Sequence, residues 1–120
     1  MDGRVDLHVH SSNSSDGDYP PAELLRMAKK KGLRAISISD HDTVGAYPEA
    51  FESSRKFGVE LIPSVELTTL FKGREFHLLL PFVHWESRVL RRILTTVTDA
   101  PIKEAQERVA KLQALGFDIS

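Results

Sequence analysis

Strand and helix patterns alternate over the first 66 residues, and this alternation restricts what the chain can fold into. Strand patterns cover residues 4–10, 35–39 and 60–66, and helix patterns open at Pro20-Pro21 and at Tyr47. Strands that alternate with helices form parallel sheets joined by right-handed crossovers. Such a sheet needs helices on both faces or closure into a barrel. The pattern therefore predicts an α/β fold.

A different connection follows the third strand. Residues 67–80 predict a hairpin that turns at Lys72-Gly73, and residues 86–97 and 102–115 predict two further helices. A complete α/β barrel takes about 200 to 250 residues. The chain has 120, so we expect residues 1–120 to form the N-terminal part of one domain, with the other half of the barrel beyond Ser120.

Composition excludes several classes of site. The chain has no cysteine, so any metal must be held by histidine and carboxylate side chains. Its 16 basic and 17 acidic residues give a net charge of −1, which argues against a broad nucleic-acid or membrane surface. The first strand pattern starts at Arg4, so we expect no signal peptide before it. No apolar run is long enough to span a bilayer, and we expect a cytoplasmic location.

Histidines and a glutamate fall near the ends of the predicted strands. His8 and His10 are two residues apart on one strand, so their rings share a face. His41 and Glu66 each lie where a strand gives way to a loop, and His77 lies inside the following strand. In parallel α/β folds, sites form at the carboxyl edge of the strands. Imidazole and carboxylate together suit Zn²⁺, Mn²⁺ or Fe²⁺. Ions about 3.5–4 Å apart can clamp a phosphoryl group.

Five segments resemble, in order and spacing, the signature of the polymerase-and-histidinol-phosphatase (PHP) family. They are residues 6–10 (DLHVH), 15–17 (SDG), 39–43 (SDHDT), 63–66 (PSVE) and 76–79 (FHLL). This resemblance implies the N-terminal part of a distorted (β/α)₇ barrel that carries two or three divalent metal ions. It also implies hydrolysis of phosphomonoesters or phosphodiesters, with water activated by the metals as the attacking group and no catalytic side chain assigned.

The resemblance implies six metal ligands in this chain. They are His8 and His10 for a first ion, Asp16 and His41 for a second, Glu66 as the bridging carboxylate, and His77 for a third. The sequence at 40–43 is most similar to that of family members that are small nucleotide phosphatases or act like 5′→3′ exoribonucleases. We therefore expect a phosphorylated small molecule or a short nucleic acid as substrate.

The chain departs from the family pattern in two ways. Further ligands would lie beyond Ser120, so we expect this chain alone to be a poor or inactive catalyst. The sheet edge left exposed would then favour association with a second copy. Ser64 stands where the family often has glycine, which leaves Glu66 in place.

Some of these residues also suit a purely structural role. Asp16 suits a turn before Gly17, although the resemblance favours a ligand, and His77 suits a hydrogen-bonded interior position. A metal-free polar core of the other histidines and Glu66 is disfavoured, because buried ionisable groups are costly to satisfy.

Other polar residues near the motifs stay open. Asp6 could orient an imidazole or bind local backbone, and Asp40 and Asp42 could move protons or shape their loop. His84 is interpreted as a surface residue outside the site. The arginines at 74, 88, 91 and 92 suit a phosphate clamp or solvated surface charge. The apolar stripe from Ile102 to Leu112 is interpreted as helix packing.

Two other functions fit the same residues. The first is a metal-binding structural or interaction domain without turnover, as in PHP domains fused to polymerases. The second is a metallo-amidohydrolase, because a His-x-His pair on a first strand also opens that kind of site. The encoded sequence beyond Ser120 would discriminate best between turnover and its loss.

Overall fold

This computed structural model describes residues 3–119, in which strands and helices alternate as far as the third strand. In chain order they are β1 (Arg4–Val9), α1 (Pro21–Lys30), β2 (Leu33–Ile38), α2 (Tyr47–Phe57), β3 (Glu60–Phe71), β4 (Arg74–Pro81) and α3 (Arg88–Ala114).

The four strands form one sheet in the order β1-β2-β3-β4. β1 pairs with β2, and β2 with β3, in parallel, with α1 and α2 as the crossovers. β4 pairs with β3 in antiparallel orientation. The predicted α/β fold, with parallel strands, helical crossovers and a hairpin, is confirmed.

β3 changes its partner part-way along its length. Residues 60–63 pair in parallel with β2, and residues 64–71 pair with β4. The prediction that the third strand ends at Glu66 is therefore wrong, because the strand continues for five residues beyond it. Glu66 nevertheless lies at the carboxyl edge of the parallel sheet, since its remaining contact with the β2 side is an isolated bridge to His41.

The hairpin turn lies at Lys72 and Gly73, as predicted. Both residues have positive φ, 51° and 74°, which is the backbone of a type I′ turn. The twist of this turn matches that of the two strands it joins, so the turn sets the register in which Glu66 lies opposite Leu79.

α3 is one helix of 27 residues, and the prediction of two helices is wrong. Pro101 lies inside it, where a proline removes one backbone hydrogen bond and usually kinks or ends a helix. The surrounding residues are exposed, so water can serve the carbonyl group that loses its partner. The expected packing of the apolar stripe is not observed within residues 3–119: Ile102 is 54% exposed and Leu112 is 39% exposed. No helix among the described residues combines the length and hydropathy needed to cross a membrane.

The apolar core lies where α1 and α2 pack on the sheet. Leu25 and Ala28 of α1, Ala50 of α2, and Ile36 and Ile38 of β2 are all buried in it. Ala35 and Ser37 of β2 point to the opposite face, which therefore carries small side chains. One face of the sheet therefore holds the fold together, and the other carries the polar groups of the site.

Tyr47 links β2 to β3 at the point where the two strands part. Its hydroxyl group accepts a hydrogen bond from the backbone N–H of Ser64. The same oxygen lies within hydrogen-bond distance of the Ile38 and Ser64 carbonyl groups, and its single proton can serve one of them. Burial raises the pKa of Tyr47 well above its ordinary value. The phenol therefore stays neutral and can donate.

Tyr47→Phe should destabilise the chain by about 1–3 kcal/mol, because the buried Ser64 N–H would lose its acceptor. Urea unfolding followed by circular dichroism measures the change. Tyr19→Phe is the matched control, since Tyr19 is 48% exposed and should lose almost nothing. Equal unfolding midpoints for the two variants would contradict the role of the Tyr47 hydroxyl.

Candidate metal centre

Four of the five histidines meet at the carboxyl edge of the parallel strands. His8 is on β1, His10 directly follows β1, His41 lies three residues after the end of β2, and His77 is on β4. Successive ring centroids are 5.0 Å apart for His8 and His10, 4.7 Å for His10 and His41, and 5.0 Å for His41 and His77. Segments separated by up to 69 residues of chain are thus brought into one row of imidazoles.

Glu66 lies at the centre of this row. Its Oε2 is 2.9 Å from His8 Nε2, 3.0 Å from His10 Nε2 and 3.7 Å from His41 Nε2. Its Oε1 is 3.4 Å from His77 Nδ1. Burial raises the pKa of Glu66, but the hydrogen bond from His8 and the nearby imidazoles outweigh it, so the pKa is lowered overall. The site is therefore built around an ionised carboxylate.

Asp16 lies in the loop after β1 and reaches two of the histidines. Its Oδ1 is 3.2 Å from His10 Nδ1, and its Oδ2 is 3.0 Å from His41 Nε2. The hydrogen bond from the Ser14 hydroxyl, 2.8 Å long, is the main cause that lowers the pKa of Asp16. This loop also needs Gly17, because a Cβ there would lie 2.0 Å from the Ser11 carbonyl oxygen. Asp16 therefore does more than form a turn before Gly17, since its carboxylate contacts both His10 and His41.

The polar atoms form three overlapping groups, within each of which they lie less than 4.8 Å apart. They are His8, His10 and Glu66; His10, Asp16 and His41; and His41, Glu66 and His77. The grouping differs from the division expected from the resemblance, since His10 joins Asp16 and His41, while Glu66 lies outside that second group. All six predicted residues are nevertheless brought together.

The donor set fits divalent cations. His8 Nε2 and His10 Nε2 are 2.9 Å apart, and two neutral imidazole nitrogens at that distance can share only one proton. Both also approach one carboxylate oxygen. Nitrogen and oxygen ligands lie about 2.0–2.2 Å from a zinc ion, so donors 2.9–3.0 Å apart have the spacing of neighbours around one ion. Imidazole and carboxylate suit zinc, manganese and iron.

Two aspartates on either side of His41 tie the loops of the site together. Asp40 is buried and accepts hydrogen bonds of 2.6 Å from both the backbone N–H and the hydroxyl group of Ser11. Asp42, with a positive φ of 54°, accepts from the backbone N–H and hydroxyl of Thr68 at 2.7 and 2.6 Å. The carboxylates therefore shape the loops, which is one of the two roles left open by the sequence. Burial raises the pKa of Asp40.

Three buried serines lie beneath the metal-binding groups. Ser37 and Ser64 hydrogen-bond to each other across β2 and β3. The Ser39 hydroxyl is buried and has no hydrogen-bond partner among the described residues. These three positions therefore contribute hydroxyl groups and no aliphatic packing.

Two further expectations from the sequence concern Asp6 and His84. Asp6 accepts a hydrogen bond of 3.2 Å from the His8 backbone N–H, which is the local backbone role. His84 is exposed and belongs to none of the three groups, as expected.

Sequence analysis did not single out Ser14 or Glu75. Ser14 lies in a serine-rich loop without periodicity, so nothing distinguished it. The two-residue alternation of β4 places Glu75 on the face of His77 and was a usable signal.

The comparison with protein families decides the relationship of this chain. The PHP domain family matches residues 6–115. The chain belongs to the PHP domain family. The family expected from the five motifs is therefore confirmed.

Individual relatives align with different shares of this PHP domain. It is 38% identical over 78 residues to a 5'-3' exoribonuclease of Haemophilus influenzae. That alignment spans 65% of this chain and 28% of the relative. It is 42% identical over 64 residues to a PolC-type DNA polymerase III of Caldanaerobacter subterraneus, and that alignment spans 52% of this chain and 5% of the polymerase. A crystal structure from Bifidobacterium adolescentis, assigned as a metal-dependent phosphoesterase, superposes with a TM-score of 0.79 at 27% identity, covering 100% and 41%. The chain spans less than half the length of each.

Asp40→Ala should destabilise the PHP domain by about 1–3 kcal/mol, because two buried donors of Ser11 would lose their acceptor. Chemical unfolding in the absence of metal measures the effect. Asp18→Ala, at an exposed position in the adjoining loop, is the control and should leave stability nearly unchanged. Equal stability of the two variants would show that the Asp40–Ser11 pair does not hold the loop.

Proposed function

We propose that this chain is the metal-binding part of a phosphoesterase that hydrolyses phosphomonoester or phosphodiester bonds of a nucleotide or short oligonucleotide. The observation that carries the proposal is the convergence of four imidazoles on the buried Glu66 carboxylate at the carboxyl edge of the strands. Family membership supports a metal-dependent hydrolase. The relative named as a 5'-3' exoribonuclease supports a nucleotide-containing substrate. We propose nucleoside 3′,5′-bisphosphates and the 5′ ends of oligonucleotides as its specific forms.

We assign two or three divalent ions (Mn²⁺, Zn²⁺ or Fe²⁺) to the six ligands. His8 and His10 would hold the first together with Glu66. Glu66 belongs both to the group with His8 and His10 and to the group with His41 and His77, which suits a bridging carboxylate. Asp16 and His41 would hold the second, and His77 the third. Bound ions supply Lewis acidity, which lowers the pKa of water and offsets the charge of a phosphoryl group.

The side chains around the ligands keep them in place. The clamps from Asp40 to Ser11 and from Asp42 to Thr68 hold the loops that carry His10 and His41. The Ser14 hydroxyl holds Asp16. Ligand atoms held in this way need little reorganisation when charge develops on the substrate, which is the main requirement in phosphoryl transfer.

A cleft of about 360 Å³ begins at Asp42, the residue that follows His41 in the chain. One wall is the loop of residues 42–45, directly after His41, and the other is α3, with Arg91, Thr95 and Asp99. Leu94 and Val44 add apolar surface. The Arg91 guanidinium has no carboxylate partner among the described residues, so it is free to bind an anionic group. We assign this cleft to the part of the substrate next to the scissile phosphate.

A non-catalytic PHP domain is the second candidate. The match to a PolC-type DNA polymerase III supports it, because the aligned segment is only 5% of a chain that is named for a different activity. Metal binding without phosphoesterase turnover would favour this candidate. The metallo-amidohydrolase remains a weaker alternative, and turnover of an amide substrate with no turnover of a phosphoester would favour it.

We also infer that β1 associates with a second copy of the chain. β1 is an edge strand, and its Val5 and Leu7 side chains are 52% and 55% exposed. Unpaired backbone groups beside exposed apolar side chains favour strand addition. Light scattering that finds only monomers at high concentration would contradict the association.

Glu66→Ala should reduce the amount of bound Mn²⁺ more than His77→Ala, because Glu66 belongs to two of the three groups and His77 to one. Elemental analysis after purification without chelator, followed by dialysis against Mn²⁺, measures the metal content. The exposed His84 provides the control variant, His84→Ala, which should bind as much as the unaltered chain. Absence of stoichiometric metal from the unaltered chain would refute the assignment.

Arg91→Ala should weaken binding of adenosine monophosphate in the presence of Mn²⁺ about tenfold, or about 1.4 kcal/mol, through loss of a charged hydrogen-bond donor. Calorimetric titration measures the affinity. Arg92→Ala, one residue further along α3 and outside the lining of the cleft, is the matched control. Equal weakening in both variants would indicate a general charge effect, and no weakening in either would place the substrate elsewhere.

A further inference from the structure

Glu75 contacts one of the proposed ligands without belonging to any of the three groups. It lies two residues before His77 on β4, so both side chains point to the same face of the strand. Glu75 Oε1 is 2.9 Å from His77 Nε2. The chain therefore supplies a carboxylate on the side of the ring that faces away from Glu66.

The His77 ring lies between two carboxylates. Its Nδ1 is 3.4 Å from Glu66 Oε1, and its Nε2 hydrogen-bonds to Glu75. A neutral imidazole has one N–H donor and one acceptor nitrogen. If Nε2 carries the proton and donates it to Glu75, the Nδ1 lone pair is left to point toward Glu66 and the third group.

Few other contacts hold this ring. The His77 side chain is 40% exposed, whereas that of His10 is 17% exposed and approaches Ser14 and Asp16 as well as Glu66. A half-exposed imidazole on an exposed strand can change rotamer unless a partner fixes it. Histidines that bind metals commonly donate their second ring N–H to a carboxylate, which fixes both the tautomer and the ring orientation.

We propose that Glu75 is a positioning residue that orients His77 so that Nδ1 is the nitrogen offered to the third ion. This inference rests on the proposed metal-binding function and extends it to a residue outside the ligand set. Glu75 acts through His77 and does not itself bind the ion. Loss of its carboxylate should therefore weaken the third site and leave the other two unchanged.

Calorimetric titration with Mn²⁺ tests the inference on the complete 120-residue chain. Glu75→Ala should weaken the Mn²⁺ site that His77→Ala abolishes, by about 10–100-fold, the usual effect of losing such a partner. Glu75→Gln should weaken it less, because an amide oxygen still accepts from Nε2–H. Glu60→Ala, at an exposed position on β3 outside the three groups, is the control and should have no effect.

A double-mutant cycle separates positioning from direct ligation. Once His77 is alanine, adding Glu75→Ala should cause no further loss of Mn²⁺ affinity. A further loss equal to that of Glu75→Ala alone would show that Glu75 acts independently of His77 and would overturn the proposal.

The tautomer of His77 gives a readout that needs no metal. Long-range ¹H–¹⁵N spectra of the metal-free chain should show His77 protonated at Nε2 in the unaltered protein and in Glu75→Gln. Glu75→Ala should show a mixture of tautomers. If Glu75→Ala has the same tautomer population and the same Mn²⁺ affinity as the unaltered chain, the positioning role of Glu75 is rejected and the metal assignment is not affected. No Mn²⁺ binding by the unaltered chain would reject the metal assignment on which it rests.

Discussion

The structure of the site depends on one buried, ionised carboxylate shared among four imidazoles. Burial by itself raises the pKa of this carboxylate, and the histidines around Glu66 outweigh that effect and lower the pKa overall. The arrangement exists because β3 leaves β2 and joins β4 at this level of the sheet. That change of partner places Glu66 within reach of side chains from β1, β2 and β4 at once.

A neutral phenol and two carboxylates fix the backbone around this centre. Tyr47 replaces the missing β2–β3 ladder contacts below the site. Asp40 connects the chain after β2 to the chain after β1, and Asp42 connects it to β3. These hydrogen bonds fix backbone segments, and the metal-binding side chains extend from those segments. Placement of ligands by supporting contacts of this kind is what multi-ion phosphoryl chemistry requires, because small errors in position are costly.

The electrostatics of the site favour cations first and anions second. Asp16, Glu66 and Glu75 bring negative charge to the strand edge, and the chain as a whole has a net charge of −1. A phosphoryl group that approached these carboxylates alone would be repelled. The proposed binding of a phosphoryl group at this edge would therefore depend on occupied cation sites. Arg91, which lines the cleft and has no carboxylate partner among the described residues, would be a further positive group.

The sequence by itself determined the fold class, the family and the six residues that meet at the site. Strand and helix periods report which faces are apolar, and the motifs place His8, His10, His41 and Glu66 near the carboxyl edge of the parallel strands. Tertiary structure decided which atoms are neighbours: the grouping of His10 with Asp16, the loop-clamping role of Asp40 and the contact of Glu75 with His77. It also decided that β3 continues through Glu66 and that α3 continues through Pro101. The alternation of β4 already puts Glu75 and His77 on one face. The other features depend on partners distant in the chain and on access of water to the backbone, so local patterns could not show them.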